Sequence, residues 1–482
     1  MAFRCTLDRR FCVGGLRLML ALLLVGLTTA AAPVPLADRI DRIVQNGAAR
    51  SAFWGIYVQD LTTGQVLYRL NADKTLMPAS TQKLFTTATA LDALGHDFRY
   101  ETTLYFDGKV EGSVLKGDLI IQGSGDPTFG SRHMPGPDPL RTWAQALAQM
   151  GVTRLEGRII GDDNAFADEL YAEGWDVSYI ATATYAQATS GLSYRDNLAQ
   201  VSVRGTRSGR AANLQADPSG YLDLQNRVTT HGRRRGGSVR LDRVVGTETV
   251  TLHGAVSRSY RSTIDVPVHD PTAFTLHSFR RQLEAAGVRV ATTLVDVDEL
   301  RQKPDYQQAQ PLMMHLSPPL SEIMANINKQ SNNFYAEHVF RTFSWGGTTN
   351  GGERRAKALL ARAGVDVSGL SIRDGSGLSR KDMITPEAMG RLLAFMHTHP
   401  DVATFKASLA RGGEAGSTLR GRLKGQGVQA KTGSLQYVRA LSGYATARNG
   451  HPLAFVVIAN NYTTSPGTIK QTIDRIVRTL RG

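Results

Sequence analysis

A serine placed three residues ahead of a lysine forms a nucleophile and base pair when a helical turn stacks both on one face. Ser80-Thr81-Gln82-Lys83 has that spacing, and Pro78 and Ala79 set Ser80 at a helix start. Free backbone N–H groups and the positive dipole end at such a position can stabilise an oxyanion. Lysine serves as a base only if its pKa of about 10.4 is lowered, by desolvation or by a neighbouring cation. Lys431, in Lys431-Thr432-Gly433, is the candidate for that cation. On an edge strand its ammonium and the Thr432 hydroxyl can hold a substrate carboxylate, and Gly433 lets a substrate backbone approach closely. Ser331-Asn332-Asn333 supplies a third group. The Ser331 hydroxyl can pass a proton to a leaving amine, and the Asn333 amide can bond a substrate peptide group.

Each piece has an ordinary reading: Ser80 as a helix cap, Ser331-Asn332-Asn333 as a helix segment, Lys431-Thr432-Gly433 as a turn. Ser113-Val114-Leu115-Lys116 repeats the first spacing, yet it lies between Gly112 and Gly117 in a strand-rich stretch and is a decoy. What the ordinary readings do not explain is the order of all three groups, which falls on helix, helix and strand.

The elements that must position these groups can be read from periodicity. Ile40 to Val44 suggests an amphipathic helix, and Phe53 to Asp60 and Gln65 to Leu70 read as a hairpin turned at Thr62-Thr63-Gly64. Pro78 opens a helix expected to run to Leu94, where Gly95 stops it. From about Tyr100 to Pro267 short strand-like stretches dominate, with Leu140 to Met150 as the clearest helix. About 201 to 254 is rich in Arg, Gly and Thr and reads as a subdomain of its own. Helical periodicity returns at Thr272 to Ala286, Ser321 to Phe343, Gly352 to Ala363 and Pro386 to His397. Strands follow at Gln429 to Leu435, Ala440 to Ala447 and Leu453 to Asn460, then a last helix, Thr468 to Leu480. No internal repeats occur. The layout is a sheet built from both ends of the chain, packed with helices and interrupted by a long insertion.

Compartment follows from the N-terminus. Arg4, Arg9, Arg10 and Arg17 precede an apolar run from Leu18 to Leu27, and Ala30-Ala31-Ala32 offers an A-x-A cleavage site before Pro33. About 20 apolar residues are needed to span a bilayer, and this run has roughly half, so a cleaved secretory signal over residues 1–32 is expected rather than an anchor. Arg9-Arg10-Phe11 hints at twin-arginine export, but no convincing motif follows it, and general secretion is preferred. Cys5 and Cys12 are the only cysteines of the 482 residues, and both fall in that signal. A thiol nucleophile and thiolate metal ligands are thereby excluded from the mature chain. The net charge of +14 leaves that mature chain basic. In the expected periplasmic location, a basic protein meets anionic wall polymer or membrane headgroups at its periphery, not nucleic acid. The densest basic run, Arg233-Arg234-Arg235, reads first as a solvated loop.

The ordered set Ser-x-x-Lys, Ser-x-Asn, Lys-Thr-Gly is the signature of β-lactamases and penicillin-binding proteins. Beyond it, Gly123-Ser124-Gly125-Asp126-Pro127 and Asp374-Gly375-Ser376-Gly377-Leu378-Ser379-Arg380 resemble runs of one branch. The whole mature chain resembles the low-molecular-mass class C penicillin-binding proteins, the D-alanyl-D-alanine carboxypeptidase/endopeptidase family S13. Its one loose stretch is Gly412 to Leu419. The resemblance implies an α+β fold: a penicillin-binding/β-lactamase-like transpeptidase core with an antiparallel sheet, formed by 34–99 and 268–482, around a β-rich insertion at 100–267 in two subdomains. It implies Ser80, Lys83, Ser331 and Lys431 as catalytic residues, and Asn333, Thr432, Gly433 and Ser434 as substrate-binding residues. Ser80, deprotonated by Lys83, would attack the penultimate D-Ala carbonyl of a peptidoglycan stem peptide. The N–H groups of Ser80 and Ser434 would form the oxyanion hole, Ser331 would protonate the departing D-Ala, and β-lactams would acylate the same serine. No cofactor or metal is needed.

Rival readings are weaker. Gly123-Ser124-Gly125 is followed by no further phosphate-loop pattern, His397 and His399 stand without an H-E-x-x-H, and no G-x-S-x-G elbow occurs. A β-lactamase-like hydrolase is disfavoured by length, and a catalytically dead wall-binding scaffold by the intact motif side chains.

Overall fold

The computed structural model describes residue 1 and residues 35–291 and 293–481. The expected signal peptide, both cysteines and the cleavage site at Ala32 lie outside these residues. Among the described residues no helix is long and apolar enough to cross a membrane.

The longest apolar run outside the N-terminus explains the centre of the fold. Pro452–Asn460 is buried at nearly every position, which a strand achieves only when both its faces are covered. It forms the middle of a six-stranded antiparallel sheet. In spatial order the strands are Ala410–Arg411, Gln429–Leu435, Val438–Thr446, Pro452–Asn460, Phe53–Asp60 and Val66–Leu70. The two chain ends meet in register, from Phe53 opposite Asn460 to Asp60 opposite Leu453. The period of two sorts the side chains between two cores. Trp54, Ile56, Val58, Phe455 and Val457 pack on the helices Leu36–Gln45 and Pro466–Thr479. Tyr57, Ala454, Val456 and Ile458 face the opposite way, onto a layer containing Lys83–Leu94, Asn333–Thr342, Thr349–Arg362 and Pro386–His397. The C-terminal apolar stripe therefore packs on the sheet, as its periodicity suggests.

Two elements differ from their sequence reading, and both carry motif residues. Instead of one helix from Pro78, a 3-10 turn spans Ala79–Gln82 and the α-helix begins at Lys83. Instead of one helix across Ser321 to Phe343, Leu320–Ala325 runs into a π turn, Asn326–Gln330, and the path breaks at Ser331. Ser331 has φ 64, ψ 39, and a new helix starts at Asn333, with the Asn332 side chain accepting from the Tyr335 N–H. Apolar periodicity continues through this break because both helices bury their stripes in one core, so pattern alone hides it.

The inserted body also extends further than its texture suggests. A seven-stranded mixed sheet includes Glu101–Glu111 and Val114–Gln122, but also Arg289–Val290, Leu294–Asp296 and Gln310–Leu316. Gln310–Leu316 pairs antiparallel with Glu101–Glu111, and Tyr100 and Ser317 exchange hydrogen bonds where the chain leaves and re-enters the core. The expected boundary at 267/268 thus moves to about 316. The sequence misleads here because helix Pro271–Ala285, which looks like the return of the helical core, packs on the inserted sheet. Two three-stranded sheets complete the body. The stretch 201 to 254 does not stand apart: Val228, Val250 and Leu252 share one core with Leu104, Trp143 and Phe279. Arg233-Arg234-Arg235 is exposed on the link between Asp223–His231 and Gly237–Arg243.

Candidate active site

In a 3-10 turn residues i and i+3 eclipse, which stacks a Ser-x-x-Lys pair more directly than an α-turn. Lys83 Nζ accordingly lies 3.2 Å from Ser80 Oγ. It also donates to Asn333 Oδ1 and to the Ser376 carbonyl, each at 2.6 Å. Three distant segments therefore converge on one amine. Lys83 is fully buried, and burial lowers its pKa to about 8, against the opposing pull of Asp374, Glu337 and Asp382. Of the two causes the sequence allowed, desolvation or a neighbouring cation such as Lys431, desolvation is the one that lowers it. Lys431 is equally buried, and its pKa is pushed well down by desolvation and then by Lys83. It donates to Ser331 Oγ at 2.8 Å.

Ser80, Ser331, Asn333, Thr432, Gly433 and Ser434 all line one cleft of about 730 Å³. Every residue implied as catalytic or substrate-binding lies at this place, with Lys83 and Lys431 as the buried floor bonded to Ser80 and Ser331. The Ser113 decoy does not. Ser113 bonds Thr153 at a hairpin turn and Lys116 pairs with Glu111.

The turn that carries Ser80 holds a strained backbone residue. Ala79, just before Ser80, has φ 48, a region that costs a non-glycine residue roughly 1–3 kcal/mol. Two glycines hold it there. A Cβ on Gly377 would strike the Ala79 carbonyl, and one on Gly433 would lie 2.7 Å from the Pro78 carbonyl. Gly433 is thus required by the Ser80 turn packing on the strand, a reason apart from substrate approach. Gly377 also has φ 78. Gly377→Ala is expected to destabilise the fold by at least about 2 kcal/mol, from a left-handed backbone plus a direct clash. Chemical denaturation measures that loss; a change under about 0.5 kcal/mol, the range of a neutral surface substitution, would show that the turn does not rest on Gly377.

Sequence reasoning missed a layer of acids beneath the site. Asp374 accepts from the backbone N–H groups of Gly377, Leu378 and Ser379, from Ser376 Oγ, and from Trp175 Nε1. This cage shapes the loop that turns the Ser376 carbonyl toward Lys83. Glu337 accepts from the Gly375 N–H, and burial beside Asp374 raises its pKa to about 8. Asp382 is raised well above the carboxylate range by the same two causes. The run 374 to 380 was legible as a motif, but nothing in spacing indicated that Glu337 and Asp382 join it. The inserted body supplies one wall: Tyr179 and Tyr185 line the cleft, and Asn333 Nδ2 donates to the Tyr185 carbonyl. Among the described residues, only Asp163, Asp296 and Asp298 bring three carboxylates within range of a shared cation, and none lines the cleft.

An antiparallel sheet with helices on both faces, its edge region against a Ser–Lys turn, defines the class of penicillin-binding and β-lactamase-like folds. Penicillin-binding protein 4 (dacB) of Haemophilus influenzae superposes with a TM-score of 0.76 at 24% identity, over 92% of this chain and 98% of that one. Within that class the chain belongs to the D-Ala-D-Ala carboxypeptidase 3 (S13) family, whose model matches residues 36–481. It is 32% identical over 447 residues to a D-alanyl-D-alanine carboxypeptidase of Actinomadura sp. (strain R39), covering 89% of this chain and 81% of the relative. It is 26% identical over 423 residues to the carboxypeptidase DacB of H. influenzae, covering 85% and 86%.

Proposed function

We propose that this protein is a serine-type D-Ala-D-Ala carboxypeptidase that also cleaves cross-linked peptides, working on peptidoglycan stem peptides through an acyl-enzyme on Ser80. The observation that carries the reading is the Lys83 amine, buried, 3.2 Å from the Ser80 hydroxyl and shifted toward neutrality. Ser80 gives its proton to Lys83 and attacks the penultimate D-Ala carbonyl. The N–H groups of Ser80 and Ser434 take the oxyanion. Lys431 and Thr432 hold the terminal carboxylate, and Asn333 orients the peptide group. Ser331 then protonates the departing amine and is resupplied across its 2.8 Å bond from Lys431. Lys83 passes the proton it took from Ser80 on to Lys431, which has given up its own through Ser331, and the neutral Lys83 then activates the water that hydrolyses the ester and returns that water's proton to Ser80.

The two lysines make this sequence dependent on the substrate. Two buried ammonium groups repel, so the empty cleft disfavours holding both charged. A carboxylate arriving beside Lys431 draws the proton there and leaves Lys83 free as the base. β-Lactams carry a comparable carboxylate and acylate Ser80 by the same route. Incubation with benzylpenicillin should therefore raise the intact mass by one adduct, and a stem pentapeptide should release D-Ala. A protein that does neither is not this enzyme.

The protein is exported, with its signal cut near Ala32. Edman sequencing of protein recovered from the periplasm should begin at or near Pro33, and thiol titration should find none. A Met1 start would refute the cleavage.

A further inference from the structure

The cleft continues past the reacting groups into a basic lobe lined by Thr418, Arg422, Arg439, Tyr462 and Lys470. Its position relative to the chemistry is fixed by two contacts. The Thr418 N–H donates to the Lys329 carbonyl, two residues before Ser331, and Arg439 pairs in register with Ser434. Tyr179, Tyr185 and Leu378 line the cleft from the inserted body and the 374–380 loop. The lobe therefore adjoins Ser331, where the departing amine leaves.

Its charge is only partly compensated. Asp474 is the carboxylate in contact with these cations: Arg422 engages it at 2.7 and 3.2 Å, and it also attracts Lys470. Among the described residues neither Arg439 nor Lys470 pairs with a carboxylate. Arg439 spends Nη1 on the Leu435 and Val438 carbonyls and lies over the Tyr462 ring, while its Nε and the Thr418 hydroxyl are shielded from solvent without a partner. Lys470, exposed at the rim of the lobe, is held below the usual lysine pKa by partial desolvation and then by Arg439 and Arg422, against the opposing pull of Asp474. Like charges gathered in a half-shielded lobe cost free energy that an anion would recover.

We propose that this lobe binds a carboxylate of the leaving strand, additional to the one on the carbon that bears the departing amine. The inference rests on the acyl-enzyme reading above and names its substrate class: peptides whose departing half is itself polyanionic, as a cross-linked neighbouring stem is and a single D-alanine is not. Lys431 and Thr432 take the first carboxylate, and Lys470 with Arg439 takes the second.

The test uses the mature enzyme and peptides sharing one acyl half. The leaving residue is D-glutamine in one, D-glutamate in a second and the one-carbon-longer D-2-aminoadipate in a third. The wild type should favour an acidic leaving residue over D-glutamine in kcat/KM. Lys470→Glu should lower that preference by about tenfold, the weight of one partly desolvated charge contact, while Lys470→Arg preserves it. Equal losses on all three peptides, or an unchanged ratio in a folded Lys470→Glu, would overturn the inference and leave the acyl-enzyme reading standing. Failure of the wild type to form a penicilloyl adduct and to release D-Ala would overturn both.

Discussion

A Ser80→Ala variant incubated with benzylpenicillin should retain its native mass and release D-Ala at a rate lower by about 10⁴-fold or more, the scale seen when a nucleophile is removed. The substitution deletes the one hydroxyl that Lys83 Nζ bonds among the described residues and leaves the turn otherwise intact. Ala79 keeps its φ of 48, and Thr81 still bonds the Pro78 carbonyl. Stability should therefore move by under about 1 kcal/mol, the usual scale for a lost partly exposed hydroxyl contact. Peptide mapping of the wild-type adduct completes the experiment. An adduct on the peptide containing Ser113, or one that survives in Ser80→Ala, would end the assignment of Ser80.

Lys83→Ala should slow acylation by roughly 10²- to 10⁴-fold, the usual contribution of a positioned base. The pH profile gives the sharper reading. Burial lowers the Lys83 pKa to about 8, so the neutral, proton-accepting form accumulates above that pH. Wild-type kcat/KM should then rise through about pH 8 and fall away on the acid side. In Lys83→Ala that limb should vanish. The fold should survive, because Glu337 and Asp382 are already biased toward their neutral forms by burial and can stay protonated once the cation is gone. The stability effect has its own sign. A lysine whose folded pKa is depressed binds fewer protons than the unfolded chain between about 8 and 10.5, so stability rises with pH across that window. Below it the desolvation cost is constant, and removing Lys83 should relieve part of it. Acylation of a folded Lys83→Ala at near the wild-type rate would mean that another base operates.

The aspartate cage shows why the two halves of the molecule cannot be treated as catalyst and spacer. Trp175, from the inserted body, donates to Asp374, and Asp374 shapes the loop that meets Lys83. Ser131 and Ser193 of the same body bond Tyr335 and His338 on the helix that carries Asn333. Removing the residues from Glu101 to Val266 would also strip Gln310–Leu316 of its partner strand. The body is part of what aims the motif side chains.

Local pattern determined a good deal on its own. The strand readings at Phe53–Asp60 and Leu453 to Asn460 announced the central sheet, because both are short apolar runs that the structure buries at nearly every position, as strands covered on two faces are. The order Ser80-x-x-Lys83, Ser331-x-Asn333, Lys431-Thr432-Gly433 announced the site, because an amine must stack on a hydroxyl and an anion must be held beside it. Tertiary structure alone decided the rest. The break at Ser331 carries no periodic signal, since the stripes on either side enter one core. The return of the chain at Ser317, the convergence of Glu337, Asp374 and Asp382 on Lys83, and the basic lobe at Lys470 join residues tens to hundreds of positions apart. Periodicity reports what a segment buries, but which distant segment it is buried against is settled only when the sheets and helices pack.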